Sequence, residues 1–193
     1  THPYGHPTAL TPNLDRLAAQ GFTFDAGYTS CPLCAPARHS LMTGRYISNI
    51  RCYDNSSPLG ADQPTVAHYF TNAGYETVLS GKMHFSGPDQ LHGFSRRLTT
   101  DIYPSDFTWL PNRPKEGWRS YANVHAQPIA IDYVTAGPHQ WSMQLDYDEE
   151  THFRALEYLR GHAKEYGRSK QKEEIADERD PFFLCVSYSH PHE

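Results

Sequence analysis

Cys34-Ala35-Pro36-Ala37-Arg38, followed after two intervening residues by Leu41-Met42-Thr43-Gly44-Arg45, is the stretch on which the reading of this chain turns. Pro suits the first turn of a helix, where its missing N–H would have had no partner anyway. Pro36 therefore predicts a helix with Cys34 at its N-terminus. Free N–H groups and the helix dipole favour an anion there. Arg38, one turn on, returns to the same end with a planar guanidinium fork. Taken with its neighbours as Cys31-Pro32-Leu33-Cys34, the stretch is also a C-x-x-C, open to redox chemistry or half of a zinc site. Zinc needs four ligands and the sequence has no second such pair, so the anion-directed reading is the stronger one.

Working outward, the flanking segments alternate between helix and strand. Thr11 to Gly21 reads as a short helix, with Thr11 as cap, Pro12 in the first turn and Gly21 as stop. Phe22-Thr23-Phe24 alternates as a strand should. Asp62 to Ala73 puts Val66, Ala67 and Phe70 on one helical face, and Tyr75 to Ser80 follows as a strand rich in β-formers. Asp146, with Glu149 three residues on, predicts the start of a longer helix whose buried stripe is Phe153, Leu156, Leu159 and Ala163. Arg168 to Asp180 reads as a mixed-charge loop. Phe182 to Tyr188 reads as a strand buried on both faces. Helices alternating with such strands predict an α/β layered fold with a largely parallel central sheet flanked by helices. Residues 86–145, irregular and punctuated by Pro and Gly, are expected to form a pocket wall.

Two further groups stand at the ends of expected strands. Gly81-Lys82-Met83-His84 follows the first, and His190-Pro191-His192 follows the last. Lys82 offers a point charge, and His84 can donate to an oxyanion or protonate a leaving group.

Composition removes several classes of function. Hydrophobic residues make up 38% and charged residues 20% of the 193 residues, which excludes a coiled coil and a disordered tail. No apolar run approaches the roughly 18 residues of a membrane-spanning helix. Seventeen Lys and Arg against 22 Asp and Glu argue against a nucleic-acid binder, so neither nucleic acid nor membrane is an expected partner. Twelve His, 13 Tyr and 15 Pro suggest a loop-rich chain lining a polar pocket. Four cysteines are too few for a disulfide scaffold of this length, and they point to a reducing, cytoplasmic setting. Neither end carries a targeting pattern, and both are expected to be cuts through a longer chain.

The Cys-x-Pro-x-Arg core with its following Thr-Gly-Arg resembles the signature of the sulfatase family, within the alkaline-phosphatase-like superfamily. Thr11 to Ala18 resembles that family's first helix, and Gly81-Lys82-Met83-His84 its Gly-Lys-x-His motif. The resemblance implies that an activating, formylglycine-generating enzyme oxidises Cys34 to formylglycine, whose hydrated aldehyde attacks sulfur. It implies Arg38, Lys82, His84 and His192 as further catalytic residues, with His190 in support. It also implies a calcium ion of which this chain supplies only Cys34, as formylglycine; the carboxylate ligands would lie before Thr1 and after Glu193. Residues 1–193 are then expected to be part of an N-terminal catalytic domain, truncated at both ends.

Within that family the choline-sulfatase branch is more similar still. The segments Ser80 to Phe85, Gly87 to Phe94, Leu98 to Pro104 and Tyr53-Asp54-Asn55 carry this likeness. It implies Asn55, Trp109 and Asn123 as substrate-binding residues. Ala122 stands where the branch tends to carry His, a departure that bears on choline specificity. The expected activity is hydrolysis of a small alkyl sulfate ester such as choline sulfate. An aryl or sugar sulfatase, a phosphonate monoester hydrolase and a non-catalytic sulfatase-like binding protein stay open, as does a homo-oligomer.

Overall fold

The computed structural model describes residues 1–102, 137–138, 140–171 and 181–192. Within them three parallel strands form one sheet in the order β2-β1-β3, with β1 at Glu76–Gly81, β2 at Arg96–Arg97 and β3 at Phe182–Ser187. Val78 pairs with both Arg96 and Leu184, so β1 is the central strand. Five α-helices accompany the sheet: α1 (Pro12–Gln20), α2 (Cys34–Thr43), α3 (Ile47–Ile50), α4 (Val66–Asn72) and α5 (Met143–Gln171).

The alternation of β1 explains the layers. Leu79 joins Met42, Ile50, Cys52, Leu59, Ala67, Met83, Phe85 and Phe94 in a core on the side of α2, α3 and α4. Thr77 points the same way and shares a 2.8 Å hydroxyl contact with Thr71 of α4. The intervening Ser80 faces α5 and donates to the Thr151 carbonyl at 2.9 Å. Helices thus cover both faces of the sheet, as the α/β reading expects. Full burial of a side chain such as Leu79 is worth about 2 kcal/mol. Its truncation to Ala would cost about 2–5 kcal/mol once the cavity is included.

Gly81 ends β1 at a point where backbones nearly touch. A Cβ there would collide with the Ser187 carbonyl oxygen, and the residue has φ +103°. Glycine lets the end of β1 lie flush against the end of β3.

Several expectations fail in detail. Phe22-Thr23-Phe24 is not a strand: both Phe side chains are exposed, and the segment has no neighbouring strand among the described residues. Alternation alone cannot satisfy a strand's N–H and C=O groups. Helix α5 begins three residues before Asp146, and Ser142 accepts from Leu145 N–H through its hydroxyl at 3.1 Å, in the capping position assigned to Asp146. The helix also runs on to Gln171 through the start of the expected loop. Its buried face is not the apolar stripe: Phe153 is 55% and Leu159 39% exposed, whereas Thr151 and Ala155 are buried. Tyr158 and His162 instead pack edge-on against Phe182. Strand β3 is half-buried along its whole length rather than buried on both faces.

Candidate active site

Helix α2 starts at Cys34, as Pro36 predicts, and Cys34 is half-buried. Leu33, in the capping position, has no side chain that can accept a hydrogen bond. Asn55 takes over this role from twenty residues away, its Oδ1 accepting Ala35 N–H at 2.9 Å. The turn that delivers Asn55 is held by Asp54, whose Oδ1 accepts Ser56 N–H, Ser56 Oγ–H and Ser57 Oγ–H at 2.9, 2.7 and 2.8 Å. Burial pushes the Asp54 carboxyl up, and these hydrogen bonds outweigh it and leave the group below its ordinary value.

Arg38 joins the nucleophile helix to the sheet. One guanidinium nitrogen donates to the Lys82 carbonyl at 3.0 Å and to Ser187 Oγ at 2.9 Å. Lys82 N–H in turn donates to the Ser187 carbonyl at 2.9 Å. The N-terminus of α2 and the carboxyl ends of β1 and β3 therefore meet at one place. Ligands of open parallel sheets bind at such strand ends.

Lys82 is fully buried and His84 nearly so. Burial, with Lys82, Arg38 and His39 close by, lowers His84 to about 4 against the opposing charge of Asp101. The ring is therefore neutral at neutral pH and presents an N–H donor without a net charge. Two cationic side chains and a neutral imidazole in low-dielectric surroundings favour an arriving anion, which would itself stabilise protonation of His84.

His190 and His192 follow β3 and are exposed. His190 Nδ1 lies 2.7 Å from Asp148 Oδ2, and His192 N–H donates to the Ser189 carbonyl at 3.1 Å. Trp109 and Asn123 lie outside the described residues. Cys31, Cys34, Cys52 and Cys185 are all free. Among the described residues no cluster of three or more His, Cys, Asp or Glu is placed to hold a metal ion. Cys34 alone cannot bind a hard cation that takes six to eight oxygens, so no step here is assigned to calcium.

Three contributors escape a reading of sequence. Ser187, Asp101 and Asp148 each hold a site segment, yet nothing in an acidic run such as Asp146-Tyr147-Asp148-Glu149-Glu150 singles out the residue that faces the sheet.

This geometry defines an α/β protein with an anion-directed site built on a cysteine-led helix at the ends of parallel strands. The chain belongs to the sulfatase family, whose model matches residues 2–193. It is 46% identical over 183 residues to the choline-sulfatase of Rhizobium meliloti (strain 1021), covering 94% of this chain and 33% of that protein. It is 30% identical to the multifunctional alkaline phosphatase superfamily protein PehA of Trinickia caryophylli, covering 96% of this chain and 37% of that one. Among solved structures, the 2-O glycosaminoglycan sulfatase BT1596 superposes with a TM-score of 0.62 at 22% identity, over all of this chain and 32% of that one. The phosphonate monoester hydrolase of Agrobacterium radiobacter does so at 0.58 and 24%, over all of this chain and 38% of that one. These two likenesses establish the alkaline-phosphatase-like fold. The chain spans about a third of the length of the curated relatives it matches.

Proposed function

We propose that the protein of which this chain is part is a sulfuric ester hydrolase acting on a small alkyl sulfate, with choline sulfate as the favoured ester. The observation that carries this reading is the bridge from Arg38 to both Lys82 and Ser187, which gathers the signature helix and the Lys82–His84 segment at one strand-end site. The likeness to a choline-sulfatase supports the choice of ester.

As formylglycine, residue 34 would supply a hydrated aldehyde whose hydroxyl displaces the alcohol from sulfur. Arg38 and Lys82 hold sulfate oxygens where negative charge develops, usually the largest catalytic contribution. His84, neutral before substrate arrives, donates an N–H toward the ester oxygen. His192 adds a donor from the β3 side. Asn55 keeps the start of α2 in place while its amide nitrogen is available to the alcohol pocket. Trp109 supplies an aromatic face for the trimethylammonium, and Asn123 a polar edge. A formylglycine-generating enzyme as partner, a divalent cation held with residues beyond this chain and a cytoplasmic setting complete the proposal.

The test uses the full-length enzyme, co-expressed with a formylglycine-generating enzyme, on a panel of choline sulfate, an aryl sulfate, a sugar sulfate and a phosphonate monoester. Choline sulfate should give the highest kcat/KM, and peptide mass spectrometry should find the aldehyde at residue 34. An unmodified thiol with no turnover would move the protein to the non-catalytic reading. Preference for the phosphonate would move it to that chemistry.

A further inference from the structure

The two segments that carry the proposed anion-binding side chains are held in the same manner. After β1, Asp101 Oδ2 accepts two successive backbone N–H groups, Met83 at 3.0 Å and His84 at 2.6 Å. After β3, Asp148 accepts two successive N–H groups, Ser189 through Oδ1 at 2.5 Å and His190 through Oδ2 at 2.9 Å. Asp148 Oδ2 also takes His190 Nδ1 at 2.7 Å. The two carboxylates come from unrelated places, one from the strap after β2 and one from the second turn of α5. Each reaches the first residues beyond the carboxyl end of a parallel strand.

We propose that Asp101 and Asp148 are a pair of positioning residues, carboxylate clamps that set the Lys82–His84 and His190–His192 segments at their working distance from Cys34. The proposal rests on the functional reading above for what the segments do, but not for how they are held. The sheet holds these segments only at their start: the ladder ends at Gly81 and Ser187, with one further bond from Lys82 N–H to the Ser187 carbonyl. Beyond Gly81 the chain has no regular structure of its own, and His84 has φ +59°, a left-handed conformation that non-glycine residues seldom adopt. A carboxylate taking two adjacent N–H groups does so through charge-assisted bonds, about twice as strong as neutral ones. Hydrogen bonding by Ser189 and His190 outweighs burial and leaves the Asp148 carboxyl below its ordinary value, so it is ionised while it holds the loop.

A carboxylate beside an anion site would normally repel the anion. Here the charge is occupied. Arg97 donates to Asp101 Oδ2 at 3.0 Å, and the same guanidinium bonds the carbonyls of Gly81, Thr99 and Gln90. Both side chains of this pair are buried. Arg97 thus neutralises the clamp and ties it back to the end of β1.

The geometries differ in one way that makes the proposal testable. Asp101 uses only Oδ2; its Oδ1 has no hydrogen-bond partner among the described residues. Asp148 uses both oxygens. Asn in place of Asp101 keeps one carbonyl oxygen for the Met83 and His84 N–H groups and gives up only the charge that Arg97 neutralises, while Asn in place of Asp148 must set an NH2 against a backbone N–H.

The experiment compares Asp101→Ala, Asp101→Asn, Asp148→Ala and Asp148→Asn in the full-length enzyme, by kcat/KM on choline sulfate and by amide hydrogen exchange of residues 83–84 and 189–190. Each Ala variant should lower kcat/KM about 10- to 100-fold, the range for losing hydrogen bonds to a charged group. Each should speed exchange at its own loop, with Glu76–Gly81 unchanged. Asp101→Asn should recover part of both losses, since it restores the acceptor but not the charge facing Arg97, and Asp148→Asn should recover neither. Equal behaviour of the two Asn variants overturns the proposal, as does unaltered loop exchange in both Ala variants. If an Ala variant does not fold, the Asn pair decides alone. Lys82→Ala serves as control: full turnover in that variant defeats the functional reading, and the exchange pattern then judges the clamps by itself.

Discussion

The segment after β1 is buried from Lys82 through Ser86, whereas the segment after β3 exposes both of its histidines. Their positions in the sheet account for this. Strand β1 is central, with β2 and β3 on its sides, α4 and the core on one face and α5 on the other. Strand β3 pairs only with β1 among the described residues. In the proposed function the first segment would therefore present a dry wall in which a charge acts at low dielectric. The second would present a wetter rim, held by the Asp148 carboxylate. A cation should matter more in the first than in the second.

The largest effect tests the group that both segments serve. Cys34→Ala in the full-length enzyme should abolish sulfate ester hydrolysis, since no other residue of the described site can become the nucleophile. More than trace turnover would remove the common target and the comparison with it. Next come the buried wall residues. Lys82→Ala and His84→Ala should each lower kcat by about 10²–10³, the usual result of losing one preorganised donor to a developing charge. His192→Ala, on the rim, should cost about 10- to 100-fold, as for a hydrogen bond to a charged partner in a more solvated place. A rim loss equal to the wall losses would mean that the completed protein buries both segments alike.

The pocket for the alcohol should respond more weakly. Trp109→Ala is expected to reduce kcat/KM for choline sulfate about 3- to 30-fold, the factor that a cation–π contact supplies. A neutral alkyl sulfate of similar size should lose much less. Equal losses for the two esters would make Trp109 a packing residue.

The smallest effect is on acid stability of the buried side. His39 lies under the wall, stacked on Phe85 and 3.0 Å from Cys52 Sγ. Burial first, then His92, lowers it to about 4 from 6.5. Burial likewise raises the Cys52 thiol to about 12, so the pair is neutral. Because the folded state resists protonating His39, its contribution is complete above pH 6.5 and is lost as pH falls towards 4. The loss amounts to about 3 kcal/mol at most. Thermal melts from pH 7 to 4 should therefore show a declining Tm, and His39→Gln should make that decline shallower while leaving the share of His84, which burial also lowers to about 4. An unchanged slope in the variant would place the acid-sensitive group elsewhere.

Much of this is legible in the sequence alone. Pro36 predicts a helix that begins at Cys34, and for that start a local rule suffices because a φ preference acts within a residue or two, although the cap comes from distant Asn55. The β-rich run after Gly74 and the apolar run after Pro181 both became parallel strands of one sheet, as alternation with helices requires. The order of the motifs along the chain also placed Cys34, Arg38 and Lys82 in one family. Local rules fail where a partner distant in sequence decides. Phe22-Thr23-Phe24 has the pattern of a strand and no neighbour to pair with among the described residues. Helix α5 turns Thr151 and Ala155 inward rather than Phe153 and Leu159, because Ser80, Glu76 and Phe182 choose its face. The same holds for the carboxylates. Sequence marks Asp101 and Asp148 as acidic, but only the packing of the strap and of α5 against the strand ends brings them onto the N–H groups of His84 and His190. Hydrogen bonding to a backbone depends on position to within a few tenths of an ångström, and that precision belongs to the tertiary structure.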